Sequence, residues 1–184
     1  MIGADFAALL ARAQGRDEEA FARLFRDVQP ALLRYLAVIA PQAAEDVAGQ
    51  TWLDVVAGLT GFSGGEPAFR AWLFTIARHR AVDAGRARER RLRAVPLAGS
   101  GAGERLTAPD TADVAVERAA TRATVALISA LPRDQAEIVM LRVVAGLDPH
   151  QVARIVGKSP GAVRVAAHRA LRRLAATVDR AGVL

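Results

Sequence analysis

Apolar residues recur along this chain with the 3.6-residue period of an α-helix, and no stretch of useful length alternates as a half-buried strand would. The pattern predicts four helices in the front half: a short one ending near Gly15, one from Asp17 to Ile39 that Pro30 kinks or splits, one from Ala43 to Leu59, and one from Ala68 to about Arg93. The inward stripe of the third helix is predicted to be Val47, Trp52, Val55, Val56 and Leu59. The predicted fold class of this half is therefore all-α.

The periodic pattern fails over residues 94–117, where proline, glycine and small polar residues predominate. It resumes with predicted helices over residues 118–130 and 133–145. We therefore predict two small helical domains, 1–93 and 118–184, joined by a flexible linker at 94–117. A linker of about 24 residues would reach about 80 Å when extended, which is longer than two turns of duplex DNA.

Residues 147–174 show two capped helix starts separated by a tight turn. Asp148 is a good N-cap before Pro149, Gly157 suits a left-handed C-terminal cap, and Ser159 repeats the N-cap. The second of these helices has an apolar stripe of five residues, Val163, Ala167, Ala170, Leu171 and Leu174. Its other face carries Gly161, Arg164, Val165, His168, Arg169, Arg172 and Arg173. This order of elements, with a basic face on the second helix, is typical of a helix-turn-helix.

The formal charge of +6 is concentrated in two blocks of the chain. Residues 69–93 carry eight arginines against two acids, and residues 154–180 carry six arginines and one lysine against one acid. Residues 1–60 are net acidic, with eight acids against five arginines. Two basic blocks indicate two contacts with a polyanion, and the acidic region indicates a different partner. The alternative is a helix pair with a solvated arginine face, but such a face normally mixes both signs, and no acid lies between Arg154 and Asp179.

Several classes of function are excluded by what the sequence lacks. The chain has no cysteine, so it has no disulfide and no thiolate metal site. Its three histidines, His79, His150 and His168, have no metal-ligand spacing, and the glycine-rich loop at 61–67 lacks the lysine of a phosphate loop. We therefore expect no catalytic activity, no cofactor and no metal. No apolar run is long enough for membrane insertion and no secretory signal is recognised, so we expect a cytoplasmic protein.

Three blocks of the chain, in this order, resemble the extracytoplasmic-function (group 4) sigma factors of the bacterial sigma-70 family. They are AAEDVAGQTWLDV at residues 43–55, FRAWLFTIARHRAVDAGRARERR at residues 69–91, and the stretch that begins LPRDQAEIVML and continues through the helix-turn-helix, at residues 131–174. The middle block is specific because it combines WL-x-x-IAR, a VD step and an arginine run. The resemblance implies a sigma-2-like helical bundle at 1–93 and a sigma-4-like helix-turn-helix domain at 118–184.

The resemblance also implies a function and partners. Such a protein is an alternative sigma factor that binds core RNA polymerase and directs promoter-specific initiation by reading −10 and −35 DNA elements, and an anti-sigma factor is a further implied partner. The residues implied for polymerase binding are Asp46, Gln50 and Asp54. Those implied for the −10 element, together with the loop at 61–67, are Arg78, His79, Arg80, Asp83 and Arg86. Those implied for the −35 element are Ser159, Gly161, Arg164, Val165, His168, Arg169 and Arg172.

The sequence departs from the family pattern at three positions. His79 stands where asparagine is frequent, Gln151 where glutamate is usual and Ala162 where threonine is usual. We expect His79 to alter base contacts and Gln151 to weaken a structural or polymerase contact. We expect Ala162 to remove a hydroxyl near a phosphate. At their helical spacing, Phe69 and Trp72 are expected in the core rather than stacked on bases. Two alternative interpretations are a stand-alone dimeric helix-turn-helix transcription regulator and a module that wraps a helical protein partner.

Overall fold

A computed structural model describes residues 1–94 and 122–180, and all regular secondary structure within these two ranges is helical. The front module, residues 1–94, contains α1 (Phe6–Gln14), α2 (Glu18–Ile39), α3 (Ala44–Gly58) and α4 (Glu66–Ala94). The rear module, residues 122–180, contains α5 (122–129), α6 (Arg133–Val139), α7 (Pro149–Val156) and α8 (Pro160–Arg180). The predicted linker beyond residue 94 and the predicted helix start at residue 118 lie outside the described residues.

Helix α2 begins at a local capping signal, but its interior does not follow the local signal of its proline. The Asp17 side chain caps α2 by accepting a hydrogen bond from the Ala20 N–H at 3.0 Å, as predicted. Two outcomes were predicted at Pro30, a kink or a split into two helices. The split is wrong, because α2 continues through Pro30 as one helix. Val28 and Leu32, on either side of the proline, are fully buried, so tertiary packing outweighs the missing N–H.

The core of the front module forms around α2, which packs against α1, α3 and α4. Its largest buried side chains include Leu24, Leu32, Tyr35, Leu36, Phe69, Leu73 and Phe74. Phe69 is 1% exposed, as predicted, and Trp72 is partly buried against the ring of Phe62, with centroids 5.0 Å apart. The loop before α4 is shaped by Gly64, whose φ of +147° disfavours any side chain. Aromatic packing thus fixes the loop to the start of α4.

The rear module departs from its prediction in the segment after α6. A single helix was predicted over residues 133–145, whereas α6 is followed by a π-helical turn at Met140–Val144. The Ala145 N–H donates to the Met140 carbonyl at 3.0 Å, which is the wider i→i+5 spacing. Gly146, with φ of +70°, then redirects the chain toward α7. Apolar spacing alone does not distinguish this turn from a continuing α-helix.

The helix-turn-helix forms at the predicted residues. Asp148 accepts hydrogen bonds from the N–H groups of His150 and Gln151 at 2.7 and 3.0 Å, and Gly157 ends α7 in the left-handed conformation. In α8, Val163 and Ala170 are fully buried, but Leu171 is 49% exposed. The assignment of Leu171 to the inward stripe is therefore wrong, because the contact surface of α8 is narrower than its apolar sequence pattern.

The two modules pack directly against each other in this structure. In the interface, α2 contacts α6 and the π-helical turn, and α4 contacts α7. The buried apolar residues of both modules form one continuous cluster that includes Leu36, Phe74, Ile138 and Leu141. No helix within the described ranges has the length and apolarity needed to span a membrane.

Candidate nucleic-acid interface

The exposed face of α8 carries the residues predicted for the −35 element. All seven are exposed: Ser159, Gly161, Arg164, Val165, His168, Arg169 and Arg172. Ser159 also caps α8, because its Oγ accepts a hydrogen bond from the Ala162 N–H at 3.2 Å. In the described part of the chain, no carboxylate forms an ion pair with Arg164, Arg169 or Arg172. These cations are thus available to a polyanion.

A second cationic group, not predicted from the sequence, lies beside the turn of the helix-turn-helix. His150, Arg154 and Lys158 are exposed and line an open concavity with Gly157 and Pro160. Lys158 Nζ also pairs with Asp134 at 2.8 Å. The four-residue spacing of His150 and Arg154 is the signal that could have identified these two, because such residues share one face of a helix, whereas Lys158 follows the end of α7. The first helix of this motif normally crosses the DNA backbone, so the group suits phosphate contacts.

The residues predicted for the −10 element lie along α4 but do not form one continuous cationic face. Four of them are exposed: His79, Arg80, Asp83 and Arg86. Asp83 and Arg86 form an exposed pair 3.9 Å apart. Arg78 is partly buried, and its Nε donates to Glu137 Oε1 of α6 at 2.9 Å. The structure therefore leaves four of the five exposed and turns Arg78 toward the rear module.

Asp54 and Arg80, which were predicted for two different interfaces, form an ion pair with each other. Arg80 donates from Nε to Asp54 Oδ2 and from Nη2 to Oδ1, both at 2.6 Å. These hydrogen bonds lower the pKa of the Asp54 carboxyl below its usual value, and the smaller effect of burial opposes them. Asp54 thus fixes the direction of Arg80, and its carboxylate is already satisfied within the chain.

We expect a double-mutant cycle of Asp54→Ala and Arg80→Ala to show a small favourable coupling at neutral pH. The coupling is small because the two side chains are 33% and 43% exposed, so water screens the pair. Because the folded-state pKa of Asp54 is lowered, this contribution is lost as the pH falls through that pKa. Urea denaturation of the four proteins at neutral and acidic pH measures it. An equivalent cycle of Asp46→Ala with Arg80→Ala is the control, and equal coupling in both cycles would contradict a specific pair.

The exposed face of α3 is polar at its start and apolar at its end. Asp46 and Gln50 are exposed, and so are Leu53 and Val56, at 62% and 53%. The prediction that Val56 faces inward is wrong, and the sequence analysis did not single out Leu53. Leu53 follows Gln50 by three residues and Asp46 by seven, which places all three on one helix face. That spacing could have identified Leu53 as a surface residue.

A groove brings together residues predicted for separate partners. It has a volume of about 1270 Å³ and lies between the α2–α3 corner and the second half of α4. Asp46 and Gln50 line one side, and Arg80 and Asp83 line the other. The acidic helix face and the cationic helix face are therefore adjacent in the front module.

Two sequence-family profiles match the chain in the order of its modules. The profile described as Sigma-70 region 2 matches residues 21–91, and the profile described as Sigma-70, region 4 matches residues 121–174. The ECF RNA polymerase sigma factor SigD of Mycobacterium tuberculosis is 34% identical, with 99% of this chain and 88% of SigD covered. The ECF RNA polymerase sigma factor ShbA of Streptomyces griseus is also 34% identical, with 94% and 95% covered.

A solved structure shares the fold of the chain. It is that of the sigma factor RpoE in complex with the anti-sigma factor NepR from Bartonella quintana, with a TM-score of 0.62, 24% identity, and coverage of 84% of this chain and 93% of that one. The two profiles together span most of the sequence, and the curated relatives match almost its full length. The chain therefore belongs to the extracytoplasmic-function sigma factors of the sigma-70 family.

Proposed function

We propose that this chain is an alternative sigma factor that binds core RNA polymerase through α3 and reads −10 and −35 promoter elements with α4 and α8. The observation that carries the proposal is that one chain contains both sigma-70 regions, each with its own cationic helix. A stand-alone regulator needs only the helix-turn-helix and leaves the first cationic helix without a role. The chemistry of RNA synthesis would belong to the polymerase, and the chain would act in the cytoplasm, where its partners are found.

The α3 face suits a protein partner better than DNA. Asp46 would repel a phosphate backbone, whereas Leu53 and Val56 offer apolar area that a protein surface could cover. Gln50 lies between the two parts and can hydrogen-bond to either. Exposed apolar area next to polar groups that can hydrogen-bond is typical of a protein interface. We therefore assign polymerase binding to the face of Asp46, Gln50 and Leu53, with Asp54 positioning Arg80 beside it.

The α8 face suits the major groove of duplex DNA. A helix of this kind places its N-terminal residues against base edges while flanking cations contact phosphates. Arg164 and His168 lie one turn apart on the exposed side, and Arg169 and Arg172 extend the cationic surface beyond them. The group of His150 and Arg154 on α7 supplies further phosphate contacts on the side of the turn.

The α4 surface suits a melted strand. Holding a base outside its stack requires a cationic groove next to a shaped loop. His79, Arg80 and Arg86 provide the polar and cationic side chains, and the loop before Glu66 is fixed by the stacking of Phe62 on Trp72. An anti-sigma factor is the further partner we propose, since the related fold of RpoE is found with one.

Run-off transcription with core RNA polymerase, a promoter template library and this chain tests the proposal. We expect promoter-specific transcripts only when the chain is present, and a monomeric chain that co-migrates with core enzyme. If the chain instead forms a symmetric dimer on operator DNA and adds no initiation activity, it is a stand-alone regulator and the proposal is wrong.

We expect Arg164→Ala to weaken binding to −35-type duplex by about 1–3 kcal/mol at one base position, because a base contact at the start of α8 is lost. Fluorescence anisotropy with a set of single-base variants of the selected duplex measures this loss. Arg23→Ala, an exposed arginine on α2, is the matched control and should leave affinity unchanged. A uniform loss over all duplexes with a shallower salt dependence would show that Arg164 contacts phosphate instead.

A further inference from the structure

The loop between α3 and α4 presents mainly backbone groups to a ligand. This α3–α4 loop, residues 59–65, begins with a 3-10 turn at Leu59–Gly61 and ends where α4 starts. Five of its residues are exposed and three of these are glycines: Thr60, Gly61, Ser63, Gly64 and Gly65. A ligand of this loop is therefore met largely by peptide N–H and carbonyl groups, whose directions depend on the shape of the loop.

One side chain of α1 braces the beginning of this loop. Gln14, half-buried at the end of α1, donates from Nε2 to the Leu59 carbonyl at 2.9 Å and to the Phe62 carbonyl at 2.7 Å. The Leu59 carbonyl also accepts from the Phe62 N–H at 3.1 Å. An amide nitrogen has two N–H groups, so Gln14 satisfies both carbonyls at once and closes the turn that follows α3.

The chain before α2 also braces the end of the loop. Glu66, which is 8% exposed at the start of α4, accepts from the N–H groups of Ile2 and Gly3 at 3.1 and 2.7 Å. The ring of Phe6 packs against Phe69, one turn further along α4, with centroids 5.7 Å apart. The first residues of the chain therefore contact both ends of the α3–α4 loop, although none of them was predicted to contact DNA.

The middle of the loop is held by an aromatic ring and by the Gln14 amide, which act on different atoms. The Phe62 ring stacks on Trp72, with centroids 5.0 Å apart, and meets the edge of Phe69 at 5.6 Å. These contacts place the ring, but rotation about the backbone can still turn the Phe62 carbonyl while the ring stays in place. The hydrogen bond from Gln14 sets the direction of that carbonyl, and with it the path of the glycines that follow.

From these contacts we infer that Gln14 is a positioning residue for recognition of the melted −10 strand, because it holds the α3–α4 loop in the shape in which its backbone meets one base. The inference rests on the proposed function, which places this loop and α4 on that strand. His79 lies roughly 20 Å along α4 from Glu66, so the loop and the second half of α4 meet different nucleotides. Loss of the brace therefore alters base discrimination at one position of the −10 element rather than at all of them.

The first measurement follows the loop in the full chain without polymerase or DNA. Gln14→Glu keeps the shape of the side chain but removes both N–H donors, and Gln14→Met removes them without adding a charge. We expect the protection of the Phe62 amide against hydrogen exchange, measured by NMR, to fall about tenfold in both variants. Gln42→Glu makes the first change at an exposed residue and should leave this protection unchanged. Unchanged protection in both Gln14 variants, or a loss in Gln14→Glu alone, would overturn the brace.

The second measurement follows recognition by the chain bound to core RNA polymerase. Fluorescence anisotropy gives its affinity for single-stranded −10 oligonucleotides that differ by one base. We expect Gln14→Met to lower discrimination about tenfold at one position and to leave the other positions and binding of −35 duplex unchanged. A purely structural role would weaken all oligonucleotides alike, so a uniform loss, or no loss, would overturn the positioning role.

The two measurements also separate the inference from the proposed function. If the unmodified chain with core enzyme shows no preference among the oligonucleotides, the proposed function is wrong, and the recognition role of the loop is wrong with it. The exchange of the Phe62 amide still decides whether Gln14 holds the loop, because that measurement contains no DNA. Discrimination by the unmodified chain together with normal discrimination by Gln14→Met would overturn the inference and leave the proposed function intact.

Discussion

Replacing Leu73 by alanine is expected to lower the free energy of unfolding by about 2–5 kcal/mol. Leu73 lies in the first half of α4 and is fully buried in the front core, next to the equally buried Phe74. The change removes apolar contacts and leaves a cavity that surrounding helices fill only in part. Because a domain of this size is stable by about 5–15 kcal/mol, the loss is a large part of the total. Urea denaturation followed by circular dichroism measures it.

Leu92→Ala is the matched control, because it makes the same change on the same helix at a residue that is 64% exposed. We expect its effect to be within about 0.5 kcal/mol. A similar loss in both variants would contradict the burial of Leu73. Helix propensity could not explain such a loss, since leucine and alanine differ little in that propensity.

Local signals were sufficient for most of the helical architecture. The caps at Asp17, Asp148 and Ser159 follow from short-range hydrogen bonding, so they were predictable from a few neighbouring residues. Gly157 was predictable for the same reason, since a left-handed helix end favours glycine. The helix-turn-helix and the α8 cationic face were therefore predicted from residues that contact each other within one or two turns.

Features that depend on distant partners were not predictable in the same way. The Gln151 side chain bonds to Pro67, 84 residues earlier, and Glu137 bonds to Tyr35, 102 residues earlier. No periodic pattern specifies such pairs. Arg78 was assigned to promoter DNA from its place in a motif, and its pairing with Glu137 is an intramolecular contact that the motif does not reveal. The Asp54–Arg80 pair likewise joins residues that the motifs assigned separately.

Surface apolar residues were the other source of error. The apolar stripe of a helix in the sequence can be wider than the surface that packs against other helices. Val56 and Leu171 lie at the edges of such stripes and were placed inward, although both are about half exposed. Leu53 was missed because it lies outside the regular stripe of α3. Leu53 and Val56 are exposed together on one face of α3, and the apolar period does not reveal such a pair. The α3 face that we propose for polymerase binding therefore required the structure.

Leu53→Asp is expected to lower the affinity of the chain for core RNA polymerase by about 100-fold, if α3 is the docking helix. Leu53 is 62% exposed between Gln50 and Val56, at the centre of the proposed face. Loss of a contact that is a binding hot spot costs about 2 kcal/mol or more, and an uncompensated carboxylate adds a desolvation cost. About 2.7 kcal/mol corresponds to a 100-fold change in the dissociation constant. Titration of the fluorescently labelled chain with core enzyme measures it.

Two comparisons separate docking from folding in this experiment. The thermal midpoint of Leu53→Asp should stay close to that of the unmodified chain, because the replaced side chain is mostly in water. Val143→Asp adds the same charge at an apolar residue that is 64% exposed in the π-helical turn of the rear module, away from the α3 face, and should bind core enzyme normally. Equal losses in the two variants would show that added charge alone weakens binding. Normal binding by both would place the polymerase-docking surface elsewhere than on α3.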